Sequence, residues 1–457
     1  MDVKLSENAN IGIIGGGPAG SMAGFFLLEM SQRMDWNLTV DLYEPRDFSR
    51  YGPPGCNMCA GVVSENLVQT LAAEGINLPS KVVQRGIDSY ILHTSGVPTV
   101  SIGTPSDDLR IATVYRGAGP RIPVDEDGWE SFDGYLLGLA KKSGVNVIHK
   151  RVTDISLDGD LPTVFCKNEQ GKTYELLIGA VGVNAPILNQ FGDLGFDFGK
   201  PPVKKGFVSE IYLGESVVQQ YLGSSMHVFL LDIPGLKFAA IIPKVEYVTV
   251  CLMGEGINKK LVEEFMNSTE VRSCLPESIQ WHFKEKVVEA MGQACFCMPN
   301  LNVGPAIKPY SDRVVMVGDS AVSRLYKDGI GAAYITAKAS VVTALFFGVG
   351  SEDFKKHYAP VCKRIASDNV IGGMIFSISV YYQKFQLLRT GMVAMVAAEQ
   401  QRSREVRRMS RILWDTFTGS ATYREIFFKS LHPLFFLSLL RFTFRTLFRR
   451  IIKKRYY

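Results

Sequence analysis

The stretch Ile11–Ile14 runs straight into Gly15-Gly16-Gly17-Pro18-Ala19-Gly20, and this junction restricts the fold more than any other part of the 457-residue chain. Ile11–Ile14 reads as a short buried strand, Ser21 to about Met30 as a helix, and Leu38–Tyr43 as a second strand closed by Glu44. Strand, glycine turn, helix, strand and acid is the order of a βαβ dinucleotide-binding unit. Each glycine has its own task there. Gly15 permits the sharp turn out of the strand, Gly17 lets a pyrophosphate approach the backbone, and Gly20 lets the helix pack close to the strand. The N–H groups around Ala19 and Gly20 at the helix start bind the phosphate anion. Glu44, 24 residues after Gly20, suits both ribose hydroxyls and repels a 2′-phosphate.

Composition narrows the class. With 46% hydrophobic and 21% charged residues, wholesale disorder and a polytopic membrane protein are both excluded. Eight cysteines are too few for a disulfide scaffold, and the polar opening residues show no secretory signal, so a reducing, cytoplasmic compartment is expected. The net charge of +5 is unevenly spread. From Gln401 onward 14 Lys/Arg face 3 Asp/Glu, so this part carries +11 and the rest of the chain −6. An acidic body with a basic, apolar tail points to a membrane surface; with no basic stripe, nucleic acid is not an expected partner.

Further along, Ser131-Phe132-Asp133 opens a helix to about Lys142, Phe207–Gly254 is strand-like with turns, and Arg313–Asp319 is a buried strand ending in Gly-Asp. Gly329-Ile330-Gly331-Ala332 then opens a small-residue helix to about Phe347.

Three segments stand in one order: Gly15-x-Gly17-x-x-Gly20 with Glu44, then Ile178-Gly179-Ala180-Val181-Gly182-Val183-Asn184, then Val317-Gly318-Asp319-Ser320-Ala321 with Asp328-Gly329-Ile330-Gly331. The set resembles the single-Rossmann FAD oxidoreductases related to p-hydroxybenzoate hydroxylase. More narrowly the chain looks like the geranylgeranyl reductase family, through Cys59-Ala60-Gly61-Val62-Val63-Ser64, Ile241-Ile242-Pro243-Lys244 and Ser131-Phe132-Asp133. The resemblance spans roughly residues 10 to 345. It implies FAD as cofactor, with Gly318 and Asp319 at its ribityl or pyrophosphate part and Gly329, Ile330, Gly331 and Ala332 at the edge of the flavin ring. It implies a cofactor contact from Arg116 or Arg121, with Arg121 favoured, and a catalytic role near the flavin for Cys59. The family's aromatic substrate motif would fall on Phe238, Ala240, Ile242 and Pro243, with Trp replaced by Ala240 and Phe by Ile242, so the pocket stays apolar with another shape. A second departure is Val181, where the family has an Asp before glycine.

Cys56-Asn57-Met58-Cys59 has CxxC spacing, compatible with a redox pair or half a zinc site; the simplest reading is two thiols in a glycine-rich loop with only Cys59 near the site. Cys295-Phe296-Cys297 has the wrong spacing for the other half of a zinc ribbon. Cys166, Cys251, Cys274 and Cys362 read as core residues. His93, His149, His227, His282, His357 and His432 are scattered without ligand spacing, so no metal is expected. No GxSxG, Walker or kinase motif is present, which removes support for hydrolases and phosphotransferases.

In the tail, Arg441, Arg445 and Arg449 recur at four-residue spacing among Phe442, Phe444, Leu447 and Phe448. That pattern suits a helix lying in a membrane interface, and charges interrupt every apolar run too often for a span. The expected fold class is α/β: a Rossmann-like FAD-binding domain (8–75, 105–188 and 300–348), an inserted β-rich substrate domain (76–104 and 189–299), a helical region (349–425) and a helical, membrane-associating tail (426–457). The expected activity is reduction of carbon–carbon double bonds in an isoprenoid lipid or prenylated quinone by a peripherally membrane-attached enzyme. The electron donor is external, ferredoxin-like or NAD(P)H, since no second nucleotide motif is evident. A flavin monooxygenase and an electron-transfer flavoprotein are the alternatives, and the absent Trp-x-Trp-x-Ile-Pro speaks against a halogenase.

Overall fold

The computed structural model describes residues 3–50, 52, 55–57, 60–106, 111–118, 130–277, 294–404 and 407–455. It divides into two compact units: Met1–Met58, Tyr115–Lys204 and Asn300–Asn369 form the first, and Cys59–Val114, Lys205–Pro299 and Val370–Tyr457 the second.

The first unit is built on a six-stranded sheet in the order Tyr310–Ser311, Val314–Met316, Leu176–Gly179, Asn10–Ile14, Thr39–Tyr43, Asn146–Ile148. All neighbours are parallel except the first pair. The near-continuous apolar runs of these strands follow from burial on both faces. Helix Pro18–Gln32 packs against the helices Phe132–Lys142 and Gly329–Phe346. Gly24 admits the close approach of Val145, whose Cγ2 lies 3.0 Å from where a Cβ would stand. An antiparallel meander, Val152–Asp158, Leu161–Cys166 and Lys172–Thr173, adds Ile155 and Val164, and Tyr174 just after it, to a core with Ile14, Leu177 and Met316. The buried Asp41 carboxylate there is satisfied by Tyr174 Oη at 2.8 Å, by Asn146 at 2.7 Å and by Lys172.

The second unit holds a seven-stranded sheet in the order Ala294–Cys297, Phe207–Tyr212, Tyr247–Gly254, Leu236–Pro243, Ser225–Leu230, Ser89–Thr94, Val97–Gly103. Its strands are antiparallel apart from the pair Ser225–Leu230 and Ser89–Thr94. Alternation splits its side chains between two cores. Ala239 and Ile241 face Val262, Phe265 and Val271 from the helices Lys259–Met266 and Thr269–Arg272. Ala240 and Ile242 face Met392, Val396, Trp414, Phe417, Phe435 and Leu439 from the helices Gln386–Gln400, Arg408–Thr418 and Pro433–Arg455.

The C-terminal segment therefore corrects one expectation. The described part of residues 426–457 is not a separate surface tail: Phe435 and Leu439 are core side chains, and Thr443 sits so close to Gly391 that a Cβ there would lie 2.3 Å from its Oγ1. The helical region expected over 349–425 is likewise shared, with the boundary between the units inside helix Ala359–Lys384. Among the described residues one helix alone is long and apolar enough to cross a bilayer, the mostly buried core helix Gly329–Phe346. The helices Tyr423–Ser430 and Pro433–Phe448 pass that test only together, across a 64° bend.

Candidate functional site

The glycine turn sits at the carboxyl ends of parallel strands in the first unit. Gly15 has φ +104°, and a Cβ there would lie 2.4 Å from the Ala180 carbonyl oxygen. A Cβ on Gly20 would lie 1.8 Å from the Gly15 carbonyl oxygen, so this glycine lets helix Pro18–Gln32 close onto the turn. Gly17 differs: its φ is −69°, and the nearest neighbour of a Cβ is Asn57 Nδ2 at 3.4 Å. Space is left where a ligand backbone approach is needed. Gly17 is the N-cap and offers no side chain, and Pro18 follows at N1. The N–H groups of Ala19 and Gly20 thus have neither an intrahelical acceptor nor a side-chain cap, the arrangement that binds phosphate.

Glu44 is buried beside this turn. Its Oε2 accepts the Gly16 N–H at 2.8 Å and its Oε1 the Arg46 N–H at 2.9 Å. The carboxylate braces the loop, and each oxygen keeps a second lone pair for a ribose hydroxyl.

A second turn packs on the first. Gly318 has φ +62°, and its Cβ would stand 2.8 Å from Ala19 Cβ. Asp319 follows; its backbone carbonyl accepts from Asn302 Nδ2 at 2.7 Å. Burial raises the Asp319 carboxyl above the usual carboxylate range, opposed by a hydrogen bond from Ser323 and the charge of Arg116.

Arg116 itself forms a forked ion pair with the buried Asp133, Nε to Oδ1 at 2.5 Å and Nη2 to Oδ2 at 3.1 Å. Asn57 also donates to Asp133, and Arg46 donates to Asn57 Oδ1 at 2.9 Å. Asn57, from the CxxC segment, thereby links the glycine turn to the helix Phe132–Lys142. Cys59 and Arg121 lie outside the described residues.

Asp328, with φ 52°, caps helix Gly329–Phe346 by accepting the Gly331 N–H at 3.2 Å, and its backbone carbonyl accepts that of Ala332. Of the four N–H groups from Gly329 to Ala332, two are thus already engaged, and Gly329 and Ile330 carry the remaining two of the first turn. Arg324 pairs with Asp328 at 2.7 Å, while Asn369 accepts from the Leu325 N–H at 2.9 Å and donates to the Ser323 carbonyl at 2.7 Å. Sequence reasoning missed Asn302, Arg324 and Asn369, whose only signal is spatial.

In the second unit, Ala240 and Ile242 are fully packed, and the Pro243 carbonyl accepts from Thr113 Oγ1 at 3.1 Å. Phe238 is half-buried, its ring 5.9 Å from that of Phe417. The row is apolar, as its sequence suggests, and at Ala240 and Ile242 it is core rather than open wall. The same unit brings His93 Nε2 to 3.0 Å from His227 Nδ1, with Cys274 Sγ 3.2 Å from the latter. Burial depresses His93 to about 4 and His227 to about 3. Unfolded histidines titrate near 6.5, so on acidification the unfolded chain takes up protons first. The stabilisation is complete above pH 6.5 and is lost as pH falls toward 4, at about 1.4 kcal/mol per pH unit for each ring. Urea unfolding in the presence of a chelator is expected to show the second unit roughly 2–4 kcal/mol weaker at pH 5 than at pH 7. A pH-independent midpoint over that range contradicts this.

No family model matches the chain, and no curated protein does. Among solved structures, the peptidyl tryptophan dihydroxylase QhpG, described as essential for tryptophylquinone cofactor biogenesis, superposes with a TM-score of 0.54 at 16% identity, covering 83% of this chain and 77% of its own. The halogenase PltM in complex with phloroglucinol and FAD gives 0.57 at 12% identity, covering 92% and 85%. A flavoprotein/dehydrogenase from Cytophaga hutchinsonii gives 0.55 at 15% identity, covering 90% and 93%. At these identities the likeness is one of fold.

Proposed function

We propose that the chain is an FAD-dependent oxidoreductase of the geranylgeranyl reductase type, reducing carbon–carbon double bonds of an isoprenoid lipid or prenylated quinone at a membrane surface. The observation that carries the FAD reading is the pair of turns, Gly15–Gly20 and Gly318–Asp319, packed on each other at strand ends with an uncapped helix start between them. In this reading Ala19 and Gly20 N–H groups bind the pyrophosphate and Glu44 takes the ribose hydroxyls. Asp319, steadied by Asn302, orients the ribityl chain. The N–H groups of Gly329 and Ile330 place the positive end of a helix dipole at the ring edge. Bound FAD supplies two-electron redox chemistry there. By the resemblance Cys59 lies near the flavin, where its thiol or a bound water serves as the proton donor. An external donor, ferredoxin-like or NAD(P)H, completes the partner set.

Membrane attachment draws support from exposed apolar side chains in the second unit. Leu437, Leu440, Phe444 and Phe448 are exposed on helix Pro433–Arg455 beside Arg441 and Arg445, and Val370, Met374, Ile378 and Tyr381 form an exposed stripe on helix Ala359–Lys384. Replacing Leu437, Leu440 and Phe444 together by serine is expected to lower co-sedimentation with anionic vesicles at least about tenfold with an unchanged melting temperature. Unchanged sedimentation removes the membrane from this reading.

A flavin monooxygenase is the second reading, favoured by the fold shared with QhpG and PltM. Detergent purification followed by a visible spectrum and mass spectrometry of co-purified lipid tests the first. A protein that stays colourless after incubation with FAD refutes both readings. Saturation of the lipid in an anaerobic assay supports the reductase, and oxygen-dependent hydroxylation of it supports the monooxygenase.

A further inference from the structure

His93 lies on strand Ser89–Thr94 and His227 on its parallel neighbour Ser225–Leu230, where Phe229 is the direct partner of His93. His227, two residues before Phe229, therefore shares the face of His93. Cys274 follows the short helix Thr269–Arg272 on that face. The three residues are 134 and 47 positions apart along the chain, and all are buried.

Their donor atoms form a triangle with edges of 3.0, 3.2 and 3.5 Å. A tetrahedral zinc ion with Zn–N of about 2.0–2.1 Å and Zn–S of about 2.3 Å has donor–donor edges of about 3.3–3.6 Å. The triangle is thus close to one face of that tetrahedron. Protons alone do not account for it. An imidazole nitrogen in the ring plane either donates one hydrogen or offers one lone pair. If His93 Nε2–H donates to His227 Nδ1, neither nitrogen has a lone pair left for the thiol. Reversing the roles leaves the same deficit, so the three edges are never all ordinary hydrogen bonds. The thiol donates to the Glu270 carbonyl at 3.2 Å, which still leaves its two contacts with the ring nitrogens without a shared proton. A cation at the centre satisfies all three atoms together.

We propose that His93, His227 and Cys274 form a buried zinc site that ties the segment after helix Thr269–Arg272 to the seven-stranded sheet. Two imidazoles and a thiolate match the ligand preference of zinc, and a water takes the fourth corner. Binding releases one proton, from the Cys274 thiol to solvent. The nearby Glu270 carboxylate accepts the Gly96 N–H at 3.1 Å and adds negative charge that favours the cation. The site is independent of the flavin reading.

The test uses the tag-free full chain, stripped of metal and titrated with Co²⁺. One equivalent is expected to produce the near-ultraviolet thiolate-to-cobalt band and the intense visible bands of a tetrahedral ion. Both are lost in Cys274→Ser and kept in Cys166→Ser. Elemental analysis of the unstripped chain gives about one zinc per chain. Absence of the bands in the native chain overturns the proposal, as does their persistence in Cys274→Ser. Should that variant fail to fold, the melting temperature of the stripped native chain decides. A rise with equimolar Zn²⁺ but not Mg²⁺ supports the site, and no rise overturns it.

Discussion

Gly17→Ala is expected to fold as well as the native chain and to lose its flavin, whereas Gly20→Ala is expected not to fold. The two glycines are three residues apart and face opposite demands. At position 17 the backbone is in a region any residue adopts, and a methyl group meets nothing nearer than Asn57 Nδ2 at 3.4 Å. The stability change should stay within about 0.5 kcal/mol, or about 2 °C in melting temperature. The methyl group occupies the space through which a pyrophosphate approaches the helix start, so FAD affinity should fall about 100-fold. At position 20 the new atom lies 1.8 Å from a backbone oxygen that has no freedom to withdraw. That overpacking costs more than about 3 kcal/mol and should leave little soluble protein. Flavin absorbance and calorimetry on the two variants separate these effects. A yellow Gly17→Ala protein with native affinity contradicts the cofactor assignment.

Asp133→Ala should be the most damaging single loss of polar contact in the first unit. Its carboxylate is fully buried, while the Arg116 side chain retains only 12% of its exposure. Removing Asp133 takes the forked carboxylate away from the guanidinium and releases the Asn57 amide. Breaking a buried pair from one side costs about 3–5 kcal/mol. Calorimetry should register a melting temperature lower by about 10 °C. Asn57 borders Gly17, so flavin binding should weaken as well. An Asp133→Ala chain melting within 2–3 °C of the native one would mean that solvent reaches Arg116.

The glycine roles were legible because each is local: a turn, an open approach and a close crossing are fixed within ten residues of backbone. The apolar, uninterrupted strands of the parallel sheet were legible for the same reason. Topology hides the rest. Asn302 and Asn369 reach their loops from 17 and 44 or 46 residues away, and nothing in their neighbourhoods marks them. His93, His227 and Cys274 look scattered until two parallel strands bring two of them to one face. The last helix illustrates a different limit. Phe435, Leu439 and Phe442 pack on the core, whereas Leu437, Leu440, Phe444 and Phe448 are exposed. Both sets are apolar at helical spacing and differ by a rotation about the axis, so composition alone does not say which faces the sheet.

The burial of Phe435 and Leu439 in the core that also holds Trp414 and Ala240 has a temporal side as well. That hydrophobic layer combines residues from near position 90 with residues beyond 430, so it closes late in synthesis. Until helix Pro433–Arg455 has been made, that core lacks the side chains it contributes, and a chaperone that shields the incomplete core during translation should raise the yield of native chains.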